Sequence, residues 1–444
     1  AKLSDEKAAR EATLAKLKAL HAEAGDNRSL AYVYGRELHL AGQNTESLAV
    51  LRKAAEGDMT SEVAEELTSI YQSQNDVANL LDLLGKSVGK TASLATLGDA
   101  GAALAKDKEL VAKLIAAARE TRKSQPDKLT SGTALAVALL AMQIQDFDAA
   151  DEFYALVVEQ PEKVARTKSP KAEAILAWGL EMLQAEQPER AARVFQRAID
   201  KKLLPEREEL LYYFLSGALE MQDKTTEALA ALDAGMAKGK PSLRLLSRRA
   251  WIQYHAERYA DAEKSYLELL AKYNVDHKSA DVRDSLRESR LVLSNICVQT
   301  KRVDEGIEWL EQVLDEFPED VGAHNDLGYL FAEQGKHLLR ALRMTQFAVA
   351  AEPENSAYRD SLGWAYYQLG RYPEAVVELE KALSLREPDG VILDHLADAY
   401  AKNQQRDKAL ATYELAVAAF QKDKDQDEEL LKKTQAKLAA LRKS

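Results

Sequence analysis

The stretch "DSLGWAYYQLGRYPEAVVELEKALSLREPD", residues 360–389, decides how the rest of the chain is read. Its apolar residues fall at helical spacing in two runs, broken by Gly370. The same arrangement occurs before it, in "NDLGYLFAEQGKHLLRALRMTQFAVAAEPEN" (325–355), and after it, in "DHLADAYAKNQQRDKALATYELAVAAF" (394–420). Leu327, Leu362 and Leu396 lie 35 and 34 positions apart, and Ala341, Ala375 and Ala409 lie 34 and 34 apart. Ala348, Ala382 and Ala416 keep the same step. Each unit predicts two amphipathic helices joined by a short turn. Small residues let the backbones approach, and large ones fill the gaps between neighbours. One such hairpin cannot bury its apolar face, so the units must stack.

The pattern resembles the tetratricopeptide repeat, which runs Leu-Gly, aromatic, Ala, aromatic, Ala, Pro. Here the order is Leu362-Gly363, Tyr366, Ala375, Leu379, Ala382 and Pro388, preceded by Leu327-Gly328, Phe331, Ala341, Ala348 and Pro353. The resemblance implies an all-α fold: a right-handed superhelical solenoid of antiparallel helix pairs, closed by capping helices. The pattern continues backwards through Gly306 and Pro318, Ala250, Ala262 and Tyr266, Gly179, Ala191 and Phe195, Ala150 and Tyr154, and Gly35, Ser47 and Leu51. It blurs between 57 and 125. About ten or eleven helical pairs are expected, on the period of such repeats.

The predicted organisation is an N-terminal capping helix at 1–25, divergent helical pairs at 26–125 and repeats at 126–271. An insertion or extended helix follows at 272–290, because Ala262 and Gly306 are 44 positions apart. Well-matched repeats occupy 291–422. A charged capping helix with Leu430, Leu431, Leu438 and Leu441 closes the chain at 423–444.

Composition agrees with a helical chain. Among 444 residues only 10 are Pro and 20 Gly, while 46% are hydrophobic and 30% charged. A net charge of −12 with interspersed lysines and arginines argues against nucleic acid as a partner. No apolar run is long enough to predict a transmembrane helix. The single cysteine, Cys297, excludes an internal disulfide and stands where the repeat places a core aromatic.

One stretch imitates a phosphate loop. "LLGKSVGKTASLATLG" (83–98) contains Gly85 and then Gly89-Lys90-Thr91, but three residues separate the glycines where a Walker loop needs four. No strand precedes it. It is read as an inter-repeat turn with Gly85 as a helix C-cap. Asp394, His395 and Asp398 share a helical turn but lack a fourth metal ligand. No nucleophile or zinc motif occurs, so neither catalytic residues nor a cofactor are expected, and the repeats leave no room for a separate catalytic domain.

The first helix of each repeat lines the concave groove in the family. The resemblance therefore implies a partner-binding surface of Trp251, Tyr254, Asn295, Asn325, Tyr329, Asp360, Trp364, Tyr367 and Asp394, with Val298 alongside. Rigid aromatics with polar tips suit the anchoring of a peptide. Asp360 and Asp394 argue against a chaperone's C-terminal carboxylate and favour a basic or apolar segment. The expected function is a non-catalytic adaptor or scaffold for other proteins. The alternatives are a structural subunit of a larger complex or the non-catalytic part of a larger enzyme. The C-terminal repeats are similar to those of bacterial envelope-associated adaptors, which implies a periplasmic or envelope location over the cytoplasm.

Overall fold

The computed structural model describes residues 2–24, 26–57, 59–159, 170–239, 242–274, 279–386, 389–422 and 428–443. Pro388, residues 275–278 of the expected insertion, and residues 1, 25, 423–427 and 444 of the expected caps lie outside them. The described residues form α-helices and short 3-10 turns, without strands, in two compact units, 1–239 and 240–444.

The first unit contains α1 (Lys2–Ala24), α2 (Arg28–Leu40), α3 (Asn44–Ala54), α4 (Ser61–Ser73), α5 (Val77–Thr91), α6 (Gly98–Lys106) and α7 (Lys108–Ser124). It continues with α8 (Ser131–Gln143), α9 (Phe147–Glu159), α10 (Pro170–Gln184), α11 (Pro188–Asp200), α12 (Glu208–Glu220) and α13 (Thr225–Met236). The second unit contains α14 (Leu243–His255), α15 (Tyr259–Tyr273), α16 (Ala280–Gln299), α17 (Val303–Glu316), α18 (Val321–Glu333) and α19 (Leu338–Ala351). Its remaining helices are α20 (Ser356–Gln368), α21 (Tyr372–Ser384), α22 (Gly390–Lys402), α23 (Arg406–Lys422) and α24 (Glu428–Lys443).

A backbone signature marks the hairpins. Each first helix ends on a residue with positive φ just before the second begins. These residues are Gly42, Asn75, Gln145, Glu186, Asp223, Glu257, Lys301, Gly335, Gly370 and Gln404. A left-handed residue reverses the chain within a few positions and satisfies the last helical carbonyls. The ten pairs so marked run from α2/α3 to α22/α23, leaving α1, α6, α7 and α24 outside a pair among the described residues. Starts are set by capping side chains. Asp320, Asn355 and Asp389 accept from backbone N–H groups in the first turns of α18, α20 and α22. Within a hairpin the small-against-large rule is literal: a Cβ on Gly363 would lie 2.6 Å from the Leu379 side chain.

The glycine stretch at 83–98 corrects the turn expected from sequence. Gly85 lies inside α5, which continues to Thr91 and is capped by Ala92 at φ 55°. Its glycines serve a helix crossing. α5 packs against α8, and a Cβ on Gly132 would fall 2.2 Å from the Gly85 carbonyl oxygen and 2.7 Å from the Gly89 Cα. Any side chain there would push the helices apart. The intervening α6 and α7 are an excursion between two elements that touch directly.

In the second unit α16 has 20 residues, where α18, α20 and α22 each have 13. Its first three turns reach the end of α17, its own hairpin partner, and the start of α18: Arg290 bonds Glu316 at 3.2 Å, and Arg287 bonds Asp320 at 2.6 Å. Cys297 on this helix is fully buried, and burial raises its thiol pKa, as befits a small core side chain.

Candidate functional site

Three successive first helices, α18, α20 and α22, bring most of the predicted residues into one cluster. Trp364 is its centre. Its ring stacks on Tyr367 at 4.7 Å and on His395 at 4.1 Å, nearly parallel to both. Tyr329 approaches His395 at 6.4 Å. The Trp364 indole N–H donates to the Glu333 carboxylate at 2.7 Å, and the His395 Nδ1–H donates to Asp360 at 2.9 Å. Trp364 is only 7% exposed, whereas Tyr329 and Tyr367 are half-buried and present the accessible part of the cluster.

The electrostatics follow from this packing. Burial disfavours the charged form of His395, and the adjoining Asp360 carboxylate overrides it, so the imidazole pKa is raised. Burial, reinforced by the Asp398 carboxylate, pushes the Tyr367 hydroxyl up to about 12. Asp394 and Asp398, one helical turn apart on α22, both meet Lys437 of α24, at 2.6 and 2.7 Å. Thr434 donates to Asp394 at 2.8 Å, and Tyr413 donates to Asp398. The acid–histidine set that sequence alone weighed as metal ligands is thus engaged with protein partners. Among the described residues no group of three or more such side chains is placed to hold a metal ion.

The other predicted residues lie elsewhere in this unit. Tyr254 donates to Asn295 at 2.8 Å, joining α14 to α16. The Trp251 ring lies against His255, tilted by 32° at 3.8 Å between centroids, with the Arg248 guanidinium 4.7 Å from its centroid. Val298 packs half-buried against the core cluster that contains Trp364. Asn325 is buried: its amide nitrogen donates to the neighbouring Asp326 at 3.1 Å, and its Oδ1 has no hydrogen-bond partner among the described residues.

Sequence reasoning missed Glu333, Lys437 and the pairing role of His395. The His395–Asp360 contact was accessible in principle, since the two positions are 35 apart and occupy equivalent helices. Lys437 was not, because α24 follows no repeat register.

A stack of helical hairpins whose first helices share an aromatic and acidic patch defines a helical-repeat protein. Residues 176–241, 247–321 and 357–389 match the tetratricopeptide repeat family, so the chain carries tetratricopeptide repeats in both units. Solved structures that resemble it include a tetratricopeptide repeat protein from Parabacteroides merdae ATCC 43184, 17% identical, covering 59% of this chain and 98% of that one, with a TM-score of 0.46. MamA AMB-1 is 26% identical and covers 38% of this chain and 95% of its own, with a TM-score of 0.32. The Cut9–Hcn1 APC/C hetero-tetramer supplies a third, 13% identical, covering 94% and 98%, with a TM-score of 0.41. No curated protein sequence matches the chain. No helix among the described residues is long and apolar enough to cross a membrane.

Proposed function

We propose that this chain is a non-catalytic protein-interaction scaffold that holds a partner's peptide or helix at the Trp364 cluster. One observation supports the reading above others: α18, α20 and α22 place Tyr329, Trp364, Tyr367 and His395 together beside Asp360, Asp394 and Asp398. Preorganised aromatic rings anchor a ligand at low entropic cost. The neighbouring carboxylates favour a basic or apolar segment over an acidic one. The similarity read in the C-terminal repeats would place such an adaptor in a bacterial cell envelope, which fractionation of the source cells tests.

The binding experiment is affinity capture with the full chain beside a Tyr329→Ala/Tyr367→Ala variant. Both side chains are half-buried, so their removal alters the surface more than the core. The expected result is a partner retained by the native chain and lost by the variant. Retention of every partner by both baits at fixed stoichiometry would instead make the chain a structural subunit that binds through other faces.

A further inference from the structure

The last helix bonds to the cluster in a way that identifies the chemistry of a ligand. Of the sixteen residues of α24, only Thr434 and Leu438 are buried. Leu438 and Leu441 cover Ala397 and Tyr413, while Lys437 enters between Asp394 and Asp398 and Thr434 completes Asp394. The two acids are deeply set, with side chains 13% and 12% exposed. A cation between two neighbouring carboxylates at such depth lets both stay charged. Beyond this contact, the exposed ion pairs Lys301–Glu429 and Arg442–Glu414 add little to its hold, and Arg406 donates to the Leu441 carbonyl at 2.7 Å. A helix with so little apolar burial lies at the low-stability end of the fold. Its anchor is a lysine, and another chain can supply one.

We propose that α24 is a resident internal ligand, and that the surface beneath it is a recognition site for an amphipathic helix bearing a lysine. This rests on the scaffold reading and names its partner class. The geometry sets the pattern such a partner presents. It has a lysine for Asp394 and Asp398, a hydroxyl residue three positions before it, and leucine-sized residues one and four positions after it. In this chain that pattern is Thr434, Lys437, Leu438 and Leu441. A partner helix of this kind displaces α24, re-covers Ala397 and Tyr413, and lies beside the Tyr367 ring.

The test uses a fluorescent peptide of residues 428–443 and full-length chains. In native protein the tethered α24 competes at high effective concentration, so the free peptide binds weakly. In a Lys437→Glu chain the tethered helix is repelled by the acids. That chain is expected to bind the native peptide roughly tenfold tighter or more than native protein does. A Lys437→Glu peptide binds neither chain, and adding Asp394→Asn and Asp398→Asn abolishes the gain. Hydrogen exchange on native protein supplies an independent readout: α24 amides exchange faster than those of α22 and α23, and faster still as salt rises. Equal protection of α24 and α23 at all salt concentrations overturns the proposal and makes α24 a fixed cap. So does an absence of peptide binding when α20 to α23 remain protected in the Lys437→Glu chain. A cellular partner captured through Tyr329 and Tyr367 while α24 stays protected would preserve the scaffold reading and overturn this one.

Discussion

The helices at 61–143 and those at 321–422 are both closely packed, yet their repeat is legible only in the second region. In 321–422 each helix packs chiefly against its neighbour in the chain: α18 on α19, α20 on α21, α22 on α23. Small and large residues therefore recur at a constant step. In 61–143 the close partner of α5 is α8, reached after the excursion through α6 and α7. The glycines that meet there, Gly85 and Gly132, are 47 positions apart. The difference teaches that a sequence period reports contacts between consecutive elements, and that packing of equal closeness leaves no period when the chain detours.

The largest expected effect is in the regular region. Trp364→Ala removes a buried ring that two other rings stack on, and should cost about 3–5 kcal/mol, read from denaturant unfolding of the second unit. Trp251→Ala, at a half-buried ring, should cost well under half of that. Equal losses would show that the two aromatic groups are not distinct in kind. Next comes Gly132→Ala in the irregular region, which forces a methyl against backbone and should cost about 1–3 kcal/mol. A neutral outcome would mean that α5 and α8 do not cross closely, and the comparison would lose its basis.

A smaller effect depends on pH. The folded His395 pKa is raised above its unfolded value of about 6.5, so the native state holds an extra proton between the two. Its contribution is complete below pH 6.5 and is lost as pH rises through the folded pKa. Stability of the second unit should therefore fall across that window, with a slope of up to about 1.4 kcal/mol per pH unit. His395→Gln should flatten the slope; an unchanged slope would assign it to another group. The smallest effect is a gain. Ala92 closes α5 at φ 55°, where a Cβ is strained, so Ala92→Gly should stabilise the first unit by about 0.5–1 kcal/mol. Hydrogen exchange at the α5 terminus reads it, and a loss of protection there would contradict the assigned strain.

How much could be read in advance follows from the same reasoning. The all-helical repeat was visible in Leu362-Gly363, Ala375 and Ala382, because residues of this kind recur at a constant step, and Gly363 meets Ala375 and Leu379 inside its own hairpin. The aromatic cluster was partly visible: Trp364 and Tyr367 lie one and four positions after Gly363 and share a helix face. The glycines at 85 and 89 misled, since spacing alone does not separate a turn from a helix crossing. Lys437 could not be read, because it lies on a helix outside the period, 43 and 39 positions from its partners on α22.

The central claim is that the first helices α18, α20 and α22 form one binding surface. It is tested most directly by mapping hydrogen exchange along the full chain, free and saturated with its captured partner. New protection is expected on those three helices, around Tyr329, Trp364, Tyr367 and Asp394. Protection confined to α19, α21 and α23, or to the first unit, would contradict the account and move the binding surface to another face.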